Sequence, residues 1–497
     1  MTKLDTSAFG KNDIRGIYGQ NVTVEVFYYA GKGYAKYVAQ KLNKEAKDVW
    51  LSVSRDARLH SLELVKALIK GITSVGANVI DIGLVPTPLG YFSEVIDYEI
   101  NDKHIEIDGA LIVTASHNPS EYNGLKMTLN RQSLNEKDIK DVKQFAQKAY
   151  GAKEKSYYQI GEVLTYNLIN TYLEKQLKHF TKFGKGIKVV VDSANATGGI
   201  VAPDLYRELG CEVVELYSEP DGNFPNHHPN PSDEKTLDDI KAKIKETGAD
   251  FGIAFDGDAD RIGVVDDTGY SIPGDQLLLI FALDVLKELK GRGEKPKIIS
   301  EVKCSQVLFD MINANGGEAI MWKTGHGYIK SKMKEERAIL AGEMSGHIFF
   351  KDRYYGFDDA IYAGCRVIEI VAKNKLNNPE FKLSGLIKSL PQVHTTREVR
   401  YPCKNENKKP VLADLTGLIE ETPNLFGSEI KSIIDIDGLR IIFEGGFAMI
   451  RQSNTEPVFT LRFESNDKEK ALMYQSAMIE ALDSIVKKYN HHEEIGV

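Results

Sequence analysis

A serine, a histidine, an asparagine and a proline follow one another directly after an apolar run in VTASHNPSEYNGLKM, residues 113–127. Ser116 is therefore either a nucleophile placed where a strand ends or an ordinary turn residue, since serine, asparagine and proline all favour turns. The segment by itself leaves both interpretations open. The other polar loops of the chain have to decide between them.

The loop DGDADR carries three aspartates at alternate positions after an apolar strand. In extended backbone Asp256, Asp258 and Asp260 point to the same side, and their carboxylates repel one another unless a cation lies between them. Hard oxygen ligands favour Mg²⁺ or Ca²⁺ over zinc. An EF-hand loop is excluded because its sixth and twelfth residues, Gly and Glu in that motif, are Arg261 and Asp267 here. A solvated acidic turn is the remaining alternative.

Two further loops, GEMSGH and KTGHG, bring together a carboxylate, a hydroxyl and two imidazoles between glycines. Glu343 and Ser345 are suited to hydrogen bonds with vicinal hydroxyls of a sugar. His326 and His347 are candidates for a general acid or base, because imidazole titrates near neutral pH. A structural role is the alternative for each histidine taken alone.

The segment RQSNTEP, residues 451–457, lies between two predicted strands and offers a guanidinium, two hydroxyls and an amide within five residues. Such a group suits a phosphate, which accepts bidentate hydrogen bonds from arginine and further bonds from hydroxyls and amides. The residues concerned are Arg451, Ser453, Asn454 and Thr455. A plain hairpin loop is the alternative, and the chain contains no GxxxxGK[ST] motif.

The elements that must position these loops repeat along the chain. Three segments, beginning at VWLSVSRDAR, IKVVVDSANATGG and KIISEVKCS, each predict a strand, a helix ending near glycine, and another strand. This order is typical of βαβ units and a largely parallel sheet. Each segment then runs through a short apolar strand into a polar loop: ALIVTASHNP, FGIAFDGDADR and AILAGEMSGH. Ligands of open α/β sheets bind outside the carboxyl ends of the strands, so three domains would offer three loops to one site.

The last hundred or so residues alternate apolar and polar residues and break at Asp437-Gly438 and Gly445-Gly446, which predicts antiparallel hairpins. A helix over about 467–488 follows. The sequence therefore predicts three related α/β domains with mostly parallel, mixed sheets and a smaller C-terminal α+β domain around one central cleft. The predicted domains cover residues 1–165, 166–269, 270–387 and 388–497.

Composition limits the partners. The 497 residues carry 63 Lys and Arg against 71 Asp and Glu, a net charge of −8, which provides no general basic surface for nucleic acid. The four cysteines form no CxxC pair and are expected to be reduced, which argues against a disulfide framework or a zinc site. No secretory signal or long apolar span is evident, so a cytoplasmic protein without membrane contact is expected. We also expect a monomer or weak dimer.

The four loops together supply a candidate nucleophile, a site for a divalent metal, a sugar-binding loop and a distant phosphate-binding loop, which predicts phosphoryl transfer on a sugar phosphate. In this order, TASHNP, DGDADR, GEMSGH and RQSNTEP resemble the α-D-phosphohexomutase superfamily, and most closely its bacterial phosphomannomutase/phosphoglucomutase group. The resemblance covers essentially the whole chain. It implies four domains around one cleft.

The resemblance also implies a role for each matching residue. Ser116 would be a phosphoserine that holds Mg²⁺ together with Asp256, Asp258 and Asp260. Three cations and a histidine would surround it: Arg15, Lys126, Arg261 and His117. Glu343 and Ser345 would bind sugar hydroxyls near His326, His347 and Lys303, and the loop from Arg451 to Thr455, through Ser453 and Asn454, would bind the phosphate that is not transferred. One departure is Asn12, where similar enzymes often have tyrosine.

The implied reaction interconverts hexose 6-phosphate and hexose 1-phosphate, with mannose or glucose as the sugar and glucose or mannose 1,6-bisphosphate as intermediate and activator. Phosphoglucosamine mutase is the nearest alternative. A sugar-phosphate phosphatase would share the serine and the metal but transfer the phosphoryl group to water. A non-catalytic sugar-phosphate-binding protein is the alternative from outside the enzymes.

Overall fold

The computed structural model describes residues 3–151, 160–291, 293–453 and 456–494. Within this part of the chain, four main β-sheets of seven, five, four and six strands follow one another, with one small two-stranded ribbon beside the first. The predicted combination of three α/β units and a C-terminal α+β unit is confirmed. The domain boundaries near 165, 269 and 387 remain predictions.

The first sheet and its helices are formed, in chain order, by β1 (Ile14–Ile17), α1 (Val24–Leu42), β2 (Trp50–Arg55), α2 (Ser61–Thr73), β3 (Asn78–Leu84), α3 (Thr87–Phe92), the ribbon strands β4 (Tyr98–Ile100) and β5 (Lys103–Ile105), β6 (Gly109–Val113), β7 (Tyr122–Leu129), β8 (Gln132–Ser133), α4 (Glu136–Gly151) and β9 (Val163–Thr165). The second unit comprises α5 (Leu168–His179), β10 (Lys188–Asp192), α6 (Ala202–Glu208), β11 (Glu212–Leu216), α7 (Asp238–Thr247), β12 (Phe251–Phe255), β13 (Ile262–Asp266) and β14 (Ser271–Ile272).

The third unit comprises α8 (Gly274–Leu289), β15 (Lys297–Glu301), α9 (Gln306–Ala314), β16 (Glu318–Trp322), α10 (His326–Glu336), β17 (Leu340–Gly342), β18 (Ile348–Phe350), α11 (Ala360–Asn377) and α12 (Leu383–Ser389). The fourth comprises β19 (His394–Thr395), β20 (Val399–Pro402), α13 (Lys408–Glu421), β21 (Ser432–Ile434), β22 (Leu439–Phe443), β23 (Gly446–Gln452), β24 (Val458–Ser465) and α14 (Lys468–Glu494). The final helix thus extends beyond the predicted end at 488.

The first three sheets share one arrangement. A middle strand has a parallel neighbour on either side, and an antiparallel strand then follows, in the orders β3-β2-β6-β7, β11-β10-β12-β13 and β16-β15-β17-β18. The strands β6, β12 and β17 are buried at every residue, which explains their continuous apolar sequence. The predicted repeat is therefore confirmed, and the polar loops 114–121, 256–261 and 343–347 occupy equivalent positions after these strands.

The fourth sheet is antiparallel throughout, as its alternating pattern predicts. Its hairpins turn at Gly438 and Gly445, whose φ angles of 97° and 71° lie in the left-handed region that glycine tolerates. One apolar cluster, from Ile80 to Leu390, joins part of the first unit to the second and third units, while the first and the fourth each also have a core of their own. In the part of the chain that the structure describes, no helix combines the length and apolar character needed to cross a membrane.

Candidate active site

The loop between β6 and β7 fixes Ser116 in an unusual conformation. Its φ angle is 52°, in the left-handed region, and the residue is only 3% exposed. The Ser116 amide donates to Oγ1 of Thr114 (2.9 Å), and the Ser116 hydroxyl donates to Oδ2 of Asp256 (2.8 Å). Nδ1 of His117 lies 3.3 Å from the same hydroxyl. The serine therefore faces the acidic loop of the second domain and is not a surface turn residue.

The three aspartates of the loop between β12 and β13 converge. Each is 0% exposed, and ligand oxygens of Asp256, Asp258 and Asp260 lie within 4.8 Å of one another. The amides of Asp260 and Arg261 donate to Oδ1 of Asp256, both at 3.1 Å, which bends the loop around that carboxylate. Thr87, at the start of α3, donates to Oδ2 of Asp258 (2.6 Å). Among the described residues, no group hydrogen-bonds to Oδ1 of Asp258 or Asp260.

These orphaned oxygens fit a hard divalent cation, because the donor set consists of carboxylates and a serine oxygen. Burial, followed by the negative charges of Asp260 and Asp258, raises the pKa of Asp256 well above its ordinary value. A buried group of three carboxylates needs compensating positive charge, and a metal ion would supply it. The solvated acidic turn is thereby rejected.

Fixed cations surround this group. Lys126 on β7 donates to Oδ2 of both Asp258 and Asp260, and these carboxylates outweigh burial to raise its pKa well above the ordinary value. Arg15 on β1 donates to the Ala115 carbonyl (3.1 Å), so it supports the backbone beside Ser116. Because β1 and β7 are neighbouring strands, the sheet itself places Arg15 and Lys126 on one site.

The loops from the three domains touch directly where glycine removes a side chain. A Cβ atom at Gly257 would lie 2.3 Å from the Ser116 carbonyl oxygen, and one at Gly346 would lie 2.4 Å from that of Ile262. Gly346 also has a φ angle of 92°. These two contacts join the second domain to the first and to the third. Glycine allows one backbone to approach another this closely because it has no side chain.

The third loop contributes the predicted sugar-binding groups. Glu343 is buried and accepts a hydrogen bond from the Gly325 amide at Oε1 (2.7 Å). Burial and the nearby Glu301 raise the pKa of Glu343 to about 7. Ser345 is half-buried, and Nζ of Lys303 lies 3.5 Å from Glu301.

Two histidines stack beside this loop. The rings of His326 and His347 are 5.3 Å apart and nearly parallel. Nδ1 of His347 is 3.1 Å, and Nδ1 of His326 is 3.5 Å, from Oδ2 of Asp358, which also pairs with Lys330 (3.0 Å). Burial, then the charge of Lys330, lowers the pKa of His326 well below its ordinary value. Burial opposes the charge of His347, but Asp260 and Asp358 outweigh it and raise that pKa.

His347 also connects the second and third loops. Nε of Arg261 donates to Nε2 of His347 (3.0 Å), and the guanidinium lies 3.9 Å from Oδ2 of Asp256. Burial, then the positive charges of Arg261 and Arg15, lowers the pKa of His117 to about 2. His117 is therefore neutral at physiological pH and does not act as a cation beside Ser116.

The fourth loop faces the third domain. Nε of the buried Arg451 donates to Oδ2 of Asp437 (3.0 Å), which also accepts from the Thr324 amide (3.2 Å), two residues before His326. Nζ of Lys408 donates to the Ser453 carbonyl (2.8 Å). Asn454 and Thr455 lie outside the described residues. Asn12, the departure from the family pattern, is exposed.

Sequence reasoning missed several residues that hold the site. Asp358 follows an aromatic run, YYGF, and Thr87 lies in VPTP, neither of which is a chemical motif. The sequence pattern predicts Asp437 only as a turn residue, although it connects the fourth loop to the third domain. The one available signal was position, because Thr87 begins α3 and Asp358 lies two residues before the start of α11.

Comparison with known proteins agrees with this geometry. The chain matches the phosphoglucomutase/phosphomannomutase α/β/α domains I, II and III at residues 6–152, 170–269 and 273–393, and the C-terminal domain of the same family at 398–481. It is 40% identical to a phosphomannomutase/phosphoglucomutase of Pseudomonas putida over 93% of this chain and 92% of that protein. It is 39% identical to a phosphoglucomutase of Neisseria gonorrhoeae, with 94% of each chain covered.

A family protein of known crystal structure from Burkholderia thailandensis shares 36% sequence identity and superposes with a TM-score of 0.86, covering 96% of this chain and 97% of that one. All four domains of the family are thus present in order. The first three carry the loops that meet at Ser116, Asp256 and His347. The chain belongs to the phosphoglucomutase/phosphomannomutase family.

Proposed function

We propose that this protein interconverts hexose 6-phosphate and hexose 1-phosphate, with mannose or glucose as the sugar, through a phosphoserine at residue 116 and a hexose 1,6-bisphosphate. The observation that supports this most directly is the 2.8 Å hydrogen bond from the Ser116 hydroxyl to Asp256, inside a buried group of carboxylates and cations. An ordinary turn serine does not require a buried group of carboxylates and cations around it. A phosphoserine there would have both the metal ligands and the cations that it needs.

Charge explains why several domains contribute. A phosphoserine and a substrate phosphate carry nearly two negative charges each, and three aspartates bring the sum to about seven. Asp256, Asp258 and Asp260, with a phosphoserine oxygen, would hold Mg²⁺, which when bound supplies positive charge at the transferring phosphoryl group. Lys126 and Arg261 add fixed cations from two domains, and Arg15 steadies the backbone beside the serine.

In the proposed reaction, the free hydroxyl of a hexose monophosphate attacks the phosphorus of phosphoserine 116. A new P–O bond to the sugar forms as the P–O bond to Ser116 breaks. His326, which burial and the charge of Lys330 keep neutral, accepts the hydroxyl proton, and the departing Ser116 oxygen takes up a proton from solvent to become the free hydroxyl. The resulting bisphosphate turns end for end, and its other phosphate returns to Ser116 by the reverse step. The same bisphosphate would restore an enzyme that has lost its phosphoryl group.

Both sugar orientations must be held by the same groups. Glu343 and Ser345 would bind the 3- and 4-hydroxyls, Lys303 would lie near the reacting end, and Arg451, Ser453, Asn454 and Thr455 would hold the distal phosphate. Because these contacts do not involve C2, where glucose and mannose differ, phosphates of both sugars would be substrates. Hexose phosphates are the partners we propose, for a monomer or weak dimer in the cytoplasm.

The test is a rate comparison on mannose, glucose and glucosamine 6-phosphates, with free phosphate measured in parallel. We expect sugar 1-phosphate without matching release of phosphate. Ser116→Ala should lower the rate at least about 1000-fold without altering the circular dichroism spectrum, because the nucleophile is lost. Ser120→Ala, in the same loop, is the matched control and should retain the rate. Full activity of Ser116→Ala would end the proposal, and phosphate release equal to sugar turnover would favour a phosphatase.

A further inference from the structure

Arg58, in the short connection between β2 and α2, donates most of its hydrogen bonds to the loop that carries Ser116. Its side chain is 0% exposed, and a guanidinium has five N–H donors. One of them bonds to Oδ2 of Asp56 (3.1 Å). The other four donate to main-chain carbonyls of this loop and of the first residue of β7, those of Ser116 (2.9 Å), Asn118 (2.6 Å), Pro119 (2.5 Å) and Tyr122 (3.1 Å).

The guanidinium is itself held by groups outside the loop. Oδ1 of Asp56 accepts from the Arg58 amide (3.1 Å) and from the Ser61 hydroxyl (2.6 Å), so the carboxylate cannot rotate away. From the second domain, the ring of Phe224 lies 5.3 Å from the guanidinium carbon. A Cβ at Gly222 would come within 2.6 Å of the Ala57 carbonyl oxygen, so this segment of the second domain packs directly on the connection between β2 and α2.

The bonded loop contains a residue that needs such support. Ser116 has a φ angle of 52°, a conformation that costs a residue with a side chain about 1 kcal/mol or more and persists only where the surroundings impose it. Arg58 bonds to the carbonyl of this same residue, and Arg15 bonds to the carbonyl of the residue before it. The direction of the Ser116 side chain toward Asp256 depends on that backbone conformation.

We propose that Arg58 is a positioning residue that holds the Ser116 backbone in the orientation required for phosphoryl transfer. This inference rests on the proposed mutase function. Arg58 reaches the reaction through four carbonyl groups and makes or breaks no bond in it. Lysine cannot replace it, because an ammonium has three donors at a single point and cannot reach four carbonyls and a carboxylate.

The test compares Arg58→Lys with Arg366→Lys. Arg366 is also 0% exposed and ion-paired, with Asp352, but it lies on α11 away from the four loops. Per folded molecule, Arg58→Lys should lower kcat about 100-fold, the usual effect of a displacement of about 1 Å. KM should stay within about twofold, because the distal phosphate is held by the fourth domain. Arg366→Lys should leave both constants unchanged.

Hydrogen exchange of the peptide covering residues 114–122 reads the loop directly and needs no activity. Exchange there should rise in Arg58→Lys relative to the remainder of the first domain, and not in Arg366→Lys. If wild type lacks mutase activity, the proposed function fails while exchange still reports whether Arg58 orders the loop. Unchanged exchange and kcat in Arg58→Lys, or equal losses in both lysine variants, would overturn the inference.

A second variant guards against a protein that does not fold. Asp56→Asn retains the shape of the anchor but replaces one carboxylate oxygen with an NH₂ group that cannot accept from Nε of Arg58, so we expect kcat to fall about 10-fold with KM unchanged. Thermal unfolding of all three variants gives the folded fraction used for normalisation. A wild-type kcat in folded Asp56→Asn, together with unchanged exchange at 114–122, counts against Arg58 as the support of the loop.

Discussion

The two ends of the candidate cleft are held in different ways. Around Ser116, buried groups from two domains are bonded to one another many times over, and Arg58 alone contributes four bonds to the loop. At the other end, within the described part of the chain, Arg451 donates to Asp437, which in turn accepts from the Thr324 amide. The serine end is therefore assembled before substrate arrives, while the phosphate end depends on how the fourth domain lies against the third.

Contacts between the domains explain this contrast. One apolar cluster includes residues of the first three domains, although the first domain also has a core of its own, and hydrogen bonds from Ser116 and Lys126 join its loop and strand to the aspartates of the second domain. The fourth domain has its own core and contacts the third through a small cluster of Val302, Phe447 and Met449. Arg440 adds buried hydrogen bonds to the carbonyls of Val302 and Cys304. The position of the phosphate-binding loop therefore depends on these contacts between the third and fourth domains.

Removing a charge at the serine end should have the largest effect and tests the contrast between the two ends most strongly. Asp258→Asn should lower kcat about 1000-fold, because an oxygen ligand and a fixed negative charge are both lost where the metal would bind. A chelator should remove wild-type activity, and Mg²⁺ should restore it. Asp204→Asn, which changes an exposed aspartate of the same domain, should behave as wild type. Activity that is indifferent to chelation would reject the metal assignment.

At the phosphate end the effect should fall on binding. Arg451→Ala removes a charged hydrogen-bond donor worth about 1.5 to 3 kcal/mol, so we expect KM to rise about 10- to 100-fold with a smaller change in kcat. Steady-state kinetics on mannose 6-phosphate measures both. The exposed Arg397, in the same domain, supplies the control variant Arg397→Ala. A fall in kcat without a rise in KM would show that the phosphate end does not act mainly in substrate binding.

A smaller change tests the connection between the third and fourth domains. Asp437→Asn keeps the shape but weakens the hydrogen bonds from Arg451 and the Thr324 amide, so KM should rise about fivefold. Combined with Arg451→Ala, its effect should be less than additive, because the two residues share one contact. If the effects of the two single variants add up in full in the double variant, Asp437 does not act through Arg451.

The third loop, which lies between the two ends, offers a test by pH. Burial and Glu301 raise the pKa of Glu343 from an ordinary 4.5 to about 7, so between these values the folded protein keeps a proton that the unfolded chain releases. Stability should therefore fall as pH rises through this window, and Glu343→Gln should lack that contribution. Urea unfolding at pH 5 and pH 8 should show the variant gaining on wild type by at most about 1.4 kcal/mol per pH unit.

The exposed Glu335 provides the control for this titration, since Glu335→Gln should show no such trend. A difference between Glu343→Gln and wild type that does not change with pH would contradict the buried, ionisable state of Glu343.

The periodic parts of the fold could be predicted, and the contacts between distant segments could not. Alternating residues and glycine turns predicted the hairpins of β22, β23 and β24, and strand-helix-strand order predicted the three sheets. Both depend on neighbours in sequence. Asp358 and Thr87 gave no signal, because each acquires its role from a partner in another segment, such as the 171 positions between Thr87 and Asp258.

The residue types in four loops were enough to predict phosphoryl transfer, because carboxylates, a hydroxyl and a guanidinium have a limited chemistry whatever surrounds them. The sequence also placed each loop after a strand. Only the tertiary structure decided that Ser116 is buried against Asp256, that Arg58 holds its backbone, and that His117 is neutral. Those properties come from burial and from charges brought close by folding, and no local pattern of residues contains them.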